Sequence, residues 1–396
     1  MSVPFVDLRS MNQEVRAEIE AGWRTLIDRS GFVGGQAVVD FERAFAAYCG
    51  ASHAVGVGSG TDALRIALQA VGVRAGDLVV TVPHTFIATV EAITQVGASP
   101  VFVDIDPMSY TMDPDLLRRY LLRECSVADG VLIDRRRGRR VTCLLPVDIY
   151  GHPADWDALL ELAGEFGLKV VEDACQAHGA RYHGRACGTF GHAAAFSFYP
   201  GKNLGAMGEA GAITTNSGAL AERCRVLREH GQRDRYIHIT GEGSNARLDA
   251  LQAVVLSAKL SRLEAWNEAR RQVASWYRAR LADQEIVRPT ERPGARHVYH
   301  LYVVQTPDRD SVRRSLDQNG VATGLHYPVP LHLQEAYAKL GYQPGAFPVS
   351  EALAGRALSL PIFPHMTGDQ VDVVVGAVEP AMRARVRDTV PQMVRR

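Results

Sequence analysis

Short apolar runs alternate with helix-period stretches from about residue 53 to residue 215, and this alternation constrains the fold more than any other feature. Residues 53–57 form a predicted strand, and residues 62–71 a predicted helix whose apolar side chains share one face. The same order recurs up to the predicted strands 168–172, 193–198 and 210–215. A repeated strand–helix order predicts an α/β fold, a mainly parallel sheet with helices on both faces.

The pattern changes after Asn245. Residues 248–281 read as one long helical stretch, followed by a predicted strand at 299–305 and a helix at 310–319. We therefore predict two domains. Residues 1–245 hold an N-terminal segment and a large α/β domain, and residues 246–396 hold a smaller C-terminal domain.

Two shorter segments have a predicted local structure. Residues 153–166 read as a helix with Pro153 at its start, a position that proline favours. The charge run Arg135–Arg140 follows a predicted helix and precedes a strand. It is typical of a solvated loop, and a nucleotide-binding patch is the alternative.

Composition excludes several classes of function. The 396 residues are 46% hydrophobic, and 44 basic side chains balance 44 acidic ones. A neutral chain is not expected to bind nucleic acid or an acidic membrane nonspecifically. No apolar run is long enough to span a bilayer, and the first residues lack the apolar core of a signal peptide. The six cysteines show no metal-type spacing, so we expect no metal and a reduced, cytoplasmic setting.

Lys202 is the residue most suggestive of chemistry. It follows an apolar predicted strand, precedes a glycine-rich turn, and comes five residues after Ser197. A lysine in a short rigid loop can reach a fixed carbonyl carbon and form a Schiff base, provided that its surroundings keep it partly unprotonated. The alternative is a solvated lysine in a hairpin.

Two other predicted strand ends carry groups suited to a phosphorylated, cationic ring. The turn Gly58-Ser-Gly-Thr-Asp-Ala-Leu64 opens a helix, where free N–H groups and the helix dipole favour an anion; a simple tight turn is the alternative. Asp173 ends an apolar strand, and its carboxylate could pair with a pyridinium nitrogen, or instead serve as a cap. Gln176 could reach the same ligand.

Two more segments offer candidate contacts. Phe86 could cover one face of a flat ring and His84 could contact a substrate, although both residue types are often part of a core. Asn245 could be a helix cap, and Arg247 either a surface arginine or an anion ligand. An amine, a ring-pairing acid, a phosphate cradle and an aromatic cover together favour pyridoxal 5′-phosphate as the cofactor.

Motifs spread over nearly the whole chain resemble those of the DegT/DnrJ/EryC1/StrS family of pyridoxal phosphate-dependent sugar aminotransferases. They are the segments Val3–Leu8, Ser59–Leu64, Val103–Asp106, Glu172–Asp173, Phe196–Phe198, Asn245–Asp249, His326–Pro328 and Ser359–Pro361. The resemblance implies fold-type I of the pyridoxal phosphate enzymes, which is similar to aspartate aminotransferase. This fold has a large domain with a mainly parallel seven-stranded sheet and a smaller α+β domain.

The resemblance also implies a role for each matching residue. Lys202 would be the covalent attachment point of the cofactor and the proton carrier, and Asp173 would pair with the ring nitrogen. Gln176 would bond the ring hydroxyl, and Phe86 would stack on the ring. The phosphate would be held by three residues of one subunit, Gly60, Thr61 and Ser197.

The resemblance further implies a homodimer with shared active sites, because Asn245 would reach the phosphate bound by the neighbouring subunit. His326 and Tyr327 would lie near the sugar nucleotide. The segment Tyr199–Gly211 is most similar to enzymes that aminate C3 of dTDP-3-keto-6-deoxyhexoses, although Glu209 stands where that subgroup often has Asp. The segment 124–140 is longer and more basic than the corresponding segment of the family.

The predicted reaction is a ping-pong transamination. It moves an amino group from L-glutamate to a keto sugar nucleotide, with C3 of a dTDP-3-keto-6-deoxyhexose as the expected acceptor. The alternatives are amination of a 4-keto sugar nucleotide or of a cyclitol ketone, and a noncatalytic protein that binds sugar nucleotides.

Overall fold

The structure is a computed structural model that describes residues 2–282 and 285–389, with the side chains of the last helix described to residue 378. Its strands are β1 His53–Val57, β2 Leu78–Thr81, β3 Ser99–Phe102, β4 Cys125–Ala128, β5 Val131–Asp134, β6 Arg139–Leu144, β7 Lys169–Asp173, β8 Arg181–Tyr182, β9 Arg185–Ala186, β10 Ala193–Ser197, β11 Gly211–Thr215, β12 Gln232–Asp234, β13 Ile237–His238, β14 Ala295–Arg296, β15 Tyr302–Gln305 and β16 Ala357–Leu360.

The helices pack around the strands and form much of the C-terminal part. They are α1 Leu8–Glu14, α2 Arg16–Arg29, α3 Gln36–Cys49, α4 Gly60–Val71, α5 Ile87–Gln95, α6 Pro114–Glu124, α7 Trp156–Glu165, α8 Gly218–Arg228, α9 Ala250–Leu260, α10 Leu263–Arg280, α11 Arg309–Gln318, α12 Pro348–Arg356 and α13 Gly368–Thr389. Short 3-10 turns occupy Ile149–Gly151, Leu331–Leu333 and Glu335–Leu340.

The large sheet follows the order β1-β11-β10-β7-β6-β2-β3. Neighbours from β10 to β3 run parallel, whereas β11 is antiparallel to both β10 and β1. The predicted α/β fold with a mainly parallel sheet is therefore confirmed. The seven strands of this order form its main path, and β4 and β5 bring the sheet to nine strands rather than the predicted seven. Parallel strands end at one edge, which is where open α/β sheets bind ligands.

Helix α4 shows how local sequence places the first turn of the site. Its apolar side chains pack on one buried face, and the side chain of Ser59 caps its first turn by accepting from the Asp62 N–H at 3.0 Å. Gly60 lies so close to β10 that a Cβ atom there would come within 2.5 Å of the Ser197 Cβ. The absence of a side chain at Gly60 thus lets the helix start lie against the end of β10.

A hydrophobic cluster in the C-terminal part is separate from the cores around the large sheet. It contains side chains from α10, α11, α13 and the antiparallel pair β15–β16, including Tyr277 and Tyr302, together with Phe363 from the segment between β16 and α13. Val3 also belongs to this cluster, and its backbone pairs with Val321. The domain division at residue 245 stays a prediction. Residue 1 of the first predicted domain and residues 283–284 and 390–396 of the second lie outside the described residues.

Three local predictions need correction. Residues 248–281 form two helices, because the chain turns at Ser261 and Arg262. The predicted helix 153–166 begins only at Trp156, because the Asp155 carboxylate accepts from the Ala158 N–H and serves as the cap in place of a proline start.

The basic run Arg135–Arg140 is only partly a loop. It includes the turn after β5 and the first residues of β6, and β4, β5 and β6 extend the sheet as antiparallel neighbours. Arg139 donates to the Gly76 and Asp77 carbonyls, and Arg140 pairs with the buried Asp77 carboxylate at 2.5 Å. These side chains connect the start of β6 to the segment that precedes β2. Within the described ranges, no helix combines the length and apolarity needed to cross a membrane.

Candidate active site

One cavity of about 650 Å³ opens at the carboxyl ends of the parallel strands. The predicted site residues that line it are Gly60, Thr61, Phe86, Asp173, Gln176, Ser197, Lys202, His326 and Tyr327. They come from strand ends, from the start of α4 and from the segment before β16. The fold therefore brings together residues that lie more than 260 positions apart.

Lys202 lies in the turn after β10, where its N–H donates to the Tyr199 carbonyl at 2.8 Å. The side chain lines the cavity, and its Nζ makes no hydrogen bond to any described group. Burial lowers the pKa of Lys202, while the nearby Cys175 and Asp173 partly oppose that shift. A lowered pKa and an unengaged amine are the two properties that a lysine nucleophile needs.

Asp173 ends β7 at the base of the cavity and is 4% exposed. Its carboxylate accepts from the Thr89 hydroxyl at 2.7 Å and from the Cys175 N–H at 3.2 Å. Burial raises the pKa of Asp173, and these hydrogen bonds and the charge of Lys202 oppose the rise. No Lys or Arg forms an ion pair with Asp173 among the described residues. A cationic ligand group would therefore be a favourable partner.

The start of α4 forms an anion cradle beside Ser197. The first N–H groups of a helix have no intrahelical acceptor, and Ser59 occupies only that of Asp62. The N–H groups of Gly60 and Thr61 thus stay free within the described structure, at the positive end of the helix dipole. Ser197 adds a hydroxyl, which accepts from the Tyr199 N–H at 3.3 Å.

Gln176 and Tyr327 hold each other at the cavity wall. The Gln176 Oε1 accepts from the Tyr150 N–H at 2.7 Å, and its Nε2 donates to the Tyr327 hydroxyl at 3.1 Å. Phe86 is 51% exposed, and the centroid of its ring lies 5.8 Å from that of the Tyr327 ring. An aromatic face left uncovered in a cavity is suited to a planar ligand.

His84 and His326 lie at different depths. His326 lines the cavity, and its Nδ1 is 2.8 Å from the Ser359 hydroxyl. His84 is buried outside the cavity lining, and its Nε2 is 2.5 Å from the Tyr150 hydroxyl. Burial lowers the pKa of His84 to about 3 and that of His326 to about 4, so both rings are neutral near pH 7.

Asn245 and Arg247 do not line this cavity. Asn245 is exposed, and its backbone pairs with Glu229. Arg247 forms an ion pair with the Glu229 carboxylate at 2.7 Å. Their predicted ligand roles stay predictions, and only a neighbouring subunit could use Asn245.

Several polar residues of the cavity were not predicted from the sequence, among them Thr89, Arg270 and His300. Thr89 lies one helical turn after the strand-end segment that holds Phe86, and this spacing was the available signal. Arg270 lies within an arginine-rich helix, and nothing in its neighbours distinguishes it from a surface arginine.

A buried acidic cluster lies behind Asp173. The ligand atoms of Asp148, Glu172 and Cys187 lie within 4.8 Å of one another. The Glu172 carboxylate accepts from the Gly188 and Phe190 N–H groups, whereas Asp148 Oδ2 has no hydrogen-bond partner. Burial raises the pKa of both carboxyls, which favours a proton shared between them.

These features fit pyridoxal phosphate. One cavity is lined by three groups with suitable properties. They are an amine with a lowered pKa, a buried carboxylate without an ion-pair partner, and a helix start whose close packing depends on Gly60. They match the aldehyde, the ring nitrogen and the phosphate of this cofactor.

Comparisons with known proteins agree with this geometry. The family model of the DegT/DnrJ/EryC1/StrS aminotransferases matches residues 13–379. A dTDP-3-amino-3,4,6-trideoxy-alpha-D-glucose transaminase of Streptomyces venezuelae is 45% identical over 377 residues, which are 95% of each chain.

Two solved structures are similar over most of the chain. The S. venezuelae DesV in complex with a ketimine intermediate has a TM-score of 0.89 at 45% identity, and the match covers 96% of this chain and 98% of that one. The NtdA of Bacillus subtilis with bound cofactor PMP has a TM-score of 0.85 at 26% identity, and the match covers 96% of this chain and 85% of that one. The chain therefore belongs to the DegT/DnrJ/EryC1/StrS aminotransferase family.

Proposed function

We propose that this chain is a pyridoxal phosphate-dependent aminotransferase that moves an amino group from L-glutamate to a keto sugar nucleotide. The observation that carries the proposal is that Lys202, Asp173 and the free start of α4 line one cavity. The 45% identical transaminase, named for a dTDP-3-amino sugar, supports C3 of a dTDP-3-keto-6-deoxyhexose as the acceptor carbon.

The residues divide the chemistry between them. When bound, the cofactor supplies an aldehyde carbon and a ring that takes up electrons. Lys202 would be the covalent attachment point of the cofactor, and its Nζ would hold and move the proton at the substrate carbon. Asp173, oriented by Thr89 and Cys175, keeps the ring nitrogen protonated by accepting its hydrogen bond.

Other side chains hold the cofactor in place. The N–H groups of Gly60 and Thr61 and the Ser197 hydroxyl bind the phosphate, and Phe86 covers one ring face and excludes water. Gln176 bonds the ring hydroxyl through an amide that Tyr150 and Tyr327 already orient. His326 and Tyr327 border the space for the sugar nucleotide.

We further propose a homodimer in which Asn245 serves the partner's site. The side chain is exposed in one protomer, and the nearby hairpin β12–β13 presents Tyr236 and Ile237 to solvent at 76% and 53% exposure. Apolar side chains at such exposure favour burial against a second protomer. The six cysteines are all free thiols, which supports a cytoplasmic location.

The test is direct product analysis. The cofactor-loaded enzyme is incubated with L-glutamate and a panel of 3-keto and 4-keto sugar nucleotides and cyclitol ketones, and products are identified by mass and NMR. The proposal predicts an amino sugar nucleotide with nitrogen on C3. Amination only of a 4-keto sugar or of a cyclitol would refute the assignment of C3, and binding without turnover would refute catalysis.

A further inference from the structure

Arg270 on α10 is 1% exposed, yet it lines the same cavity as Lys202. A buried arginine normally pairs with a carboxylate, because an isolated charge is costly to remove from water. No Asp or Glu forms an ion pair with Arg270 among the described residues. Burial lowers the pKa of Arg270 only to about 10, so the side chain stays cationic at neutral pH.

The hydrogen bonds of Arg270 use one end of its guanidinium. Nη1 donates to the carbonyls of Tyr299, His300 and Ile362, with the shortest distance, 3.0 Å, to Ile362. Nε is buried without a partner, and Nη2 donates to none of the described groups. Nε and Nη2 form the edge that grips a carboxylate side-on. The carbonyls therefore hold the head in place and leave its carboxylate-binding edge unused.

The charges of Arg270 and Lys202 both affect the same cavity residue, His300. His300 also lines the cavity, and burial, followed by the charges of Lys202 and Arg270, lowers its pKa well below the usual range. Lys202 and Arg270 thus both line the cavity and both act on the His300 ring. In an amino acid, the α-carboxylate is only two bonds from the reacting nitrogen. In a sugar nucleotide, the diphosphate is separated from the reacting carbon by the sugar ring.

We propose that Arg270 binds the α-carboxylate of the amino donor while the donor nitrogen reacts beside Lys202. This proposal rests on the aminotransferase function proposed above and assigns a donor subsite within that cavity. The Arg270 guanidinium is paired with an anion only during the half-reaction with the amino acid. Arg270 is thus a specificity residue for the first substrate and not for the sugar.

The two half-reactions test this assignment separately. Single-turnover absorbance follows L-glutamate reacting with the pyridoxal form, and a keto sugar nucleotide reacting with the pyridoxamine form. For Arg270→Met, we expect the first rate constant, as kcat/KM for glutamate, to fall by about 10- to 150-fold, the range for one lost charged hydrogen-bonded contact. We expect the rate constant for the keto sugar nucleotide to change less than threefold. α-Methyl-L-glutamate has no α-proton to transfer. Its equilibrium binding should weaken by the same factor as kcat/KM for glutamate.

Amide substrates identify which carboxylate is recognised. Wild-type enzyme should prefer L-glutamate over isoglutamine, which lacks the α-carboxylate, by at least about 10-fold, and Arg270→Met should lose that preference. The neighbouring Arg271 pairs with Glu291 outside the cavity, so Arg271→Met is the matched control and should keep the preference.

Several outcomes would overturn the proposal. A purely structural Arg270 predicts equal losses in both half-reactions together with a lower melting temperature. Should Arg270→Met fail to fold, Arg270→Lys and the wild-type comparison decide the question: equal use of glutamate and isoglutamine by the wild type rejects it. Failure of the wild-type sugar half-reaction alone would instead reject the acceptor assignment and leave the donor subsite standing.

Discussion

The close approach of α4 to β10 makes Gly60→Ala a sharp test of the phosphate cradle. A Cβ at residue 60 would lie 2.5 Å from the Ser197 Cβ and 3.1 Å from its Cα. Carbon atoms in contact prefer about 3.5–4.0 Å, so the helix start must move by roughly 1 Å. Overpacking of this kind lowers the free energy of unfolding by about 1–3 kcal/mol.

The same displacement moves the N–H groups of Gly60 and Thr61 away from the cofactor phosphate. We expect the Kd for pyridoxal phosphate, measured by absorbance titration of the apoenzyme, to rise by about 10- to 100-fold, equivalent to about 1.4–2.8 kcal/mol. Gly164 in α7 is the control, because a Cβ there meets nothing within 4 Å, and Gly164→Ala should leave the Kd unchanged and raise stability by up to about 1 kcal/mol. Wild-type cofactor affinity in Gly60→Ala would refute the cradle.

Three further changes follow from the same geometry. Asp173→Asn should lower kcat by at least about 100-fold and weaken cofactor retention, because an amide cannot hold the ring nitrogen protonated; unchanged steady-state kinetics would reject this role. Thr89→Val removes the 2.7 Å hydrogen bond to Asp173, so cofactor affinity should fall by about 10-fold, whereas Thr89→Ser should keep it. Burial raises the pKa of Asp148 to about 6, so the folded chain binds a proton more tightly than the unfolded chain. Stability should fall as pH rises from about 4 to about 6, and Asp148→Asn, which can donate to Glu172, should flatten this dependence in denaturant titrations; an unaltered pH profile would contradict the shared proton.

Much of the fold could be predicted from sequence because strand and helix periodicity are local properties. The strands that end at Asp173 and Ser197 were identifiable as apolar runs, and parallel order places their ends at one edge. The split of residues 248–281 was not identifiable, because helical periodicity continues across Ser261 without a proline or glycine. The β4–β5 hairpin was not identified, because each strand has only four residues and the charge run Arg135–Arg140 that follows it read as a loop.

The site was predicted less completely, for a physical reason. Lys202, Asp173 and the start of α4 occur beside recognisable strand or helix ends. Arg270 becomes significant only through tertiary structure, where burial and three backbone carbonyls fix a cation without a carboxylate partner. Sequence alone cannot show that an arginine in an amphipathic helix faces a cavity.

Covalent attachment of the cofactor to Lys202 is the central property proposed for this active site. Enzyme loaded with pyridoxal phosphate is reduced with borohydride, digested and mapped by mass spectrometry. We predict one pyridoxyl label, on the peptide that contains Lys202, and no label in Lys202→Ala. A label on Lys259, a buried lysine outside the cavity, or on any other residue, or no label in the wild type, would contradict the account.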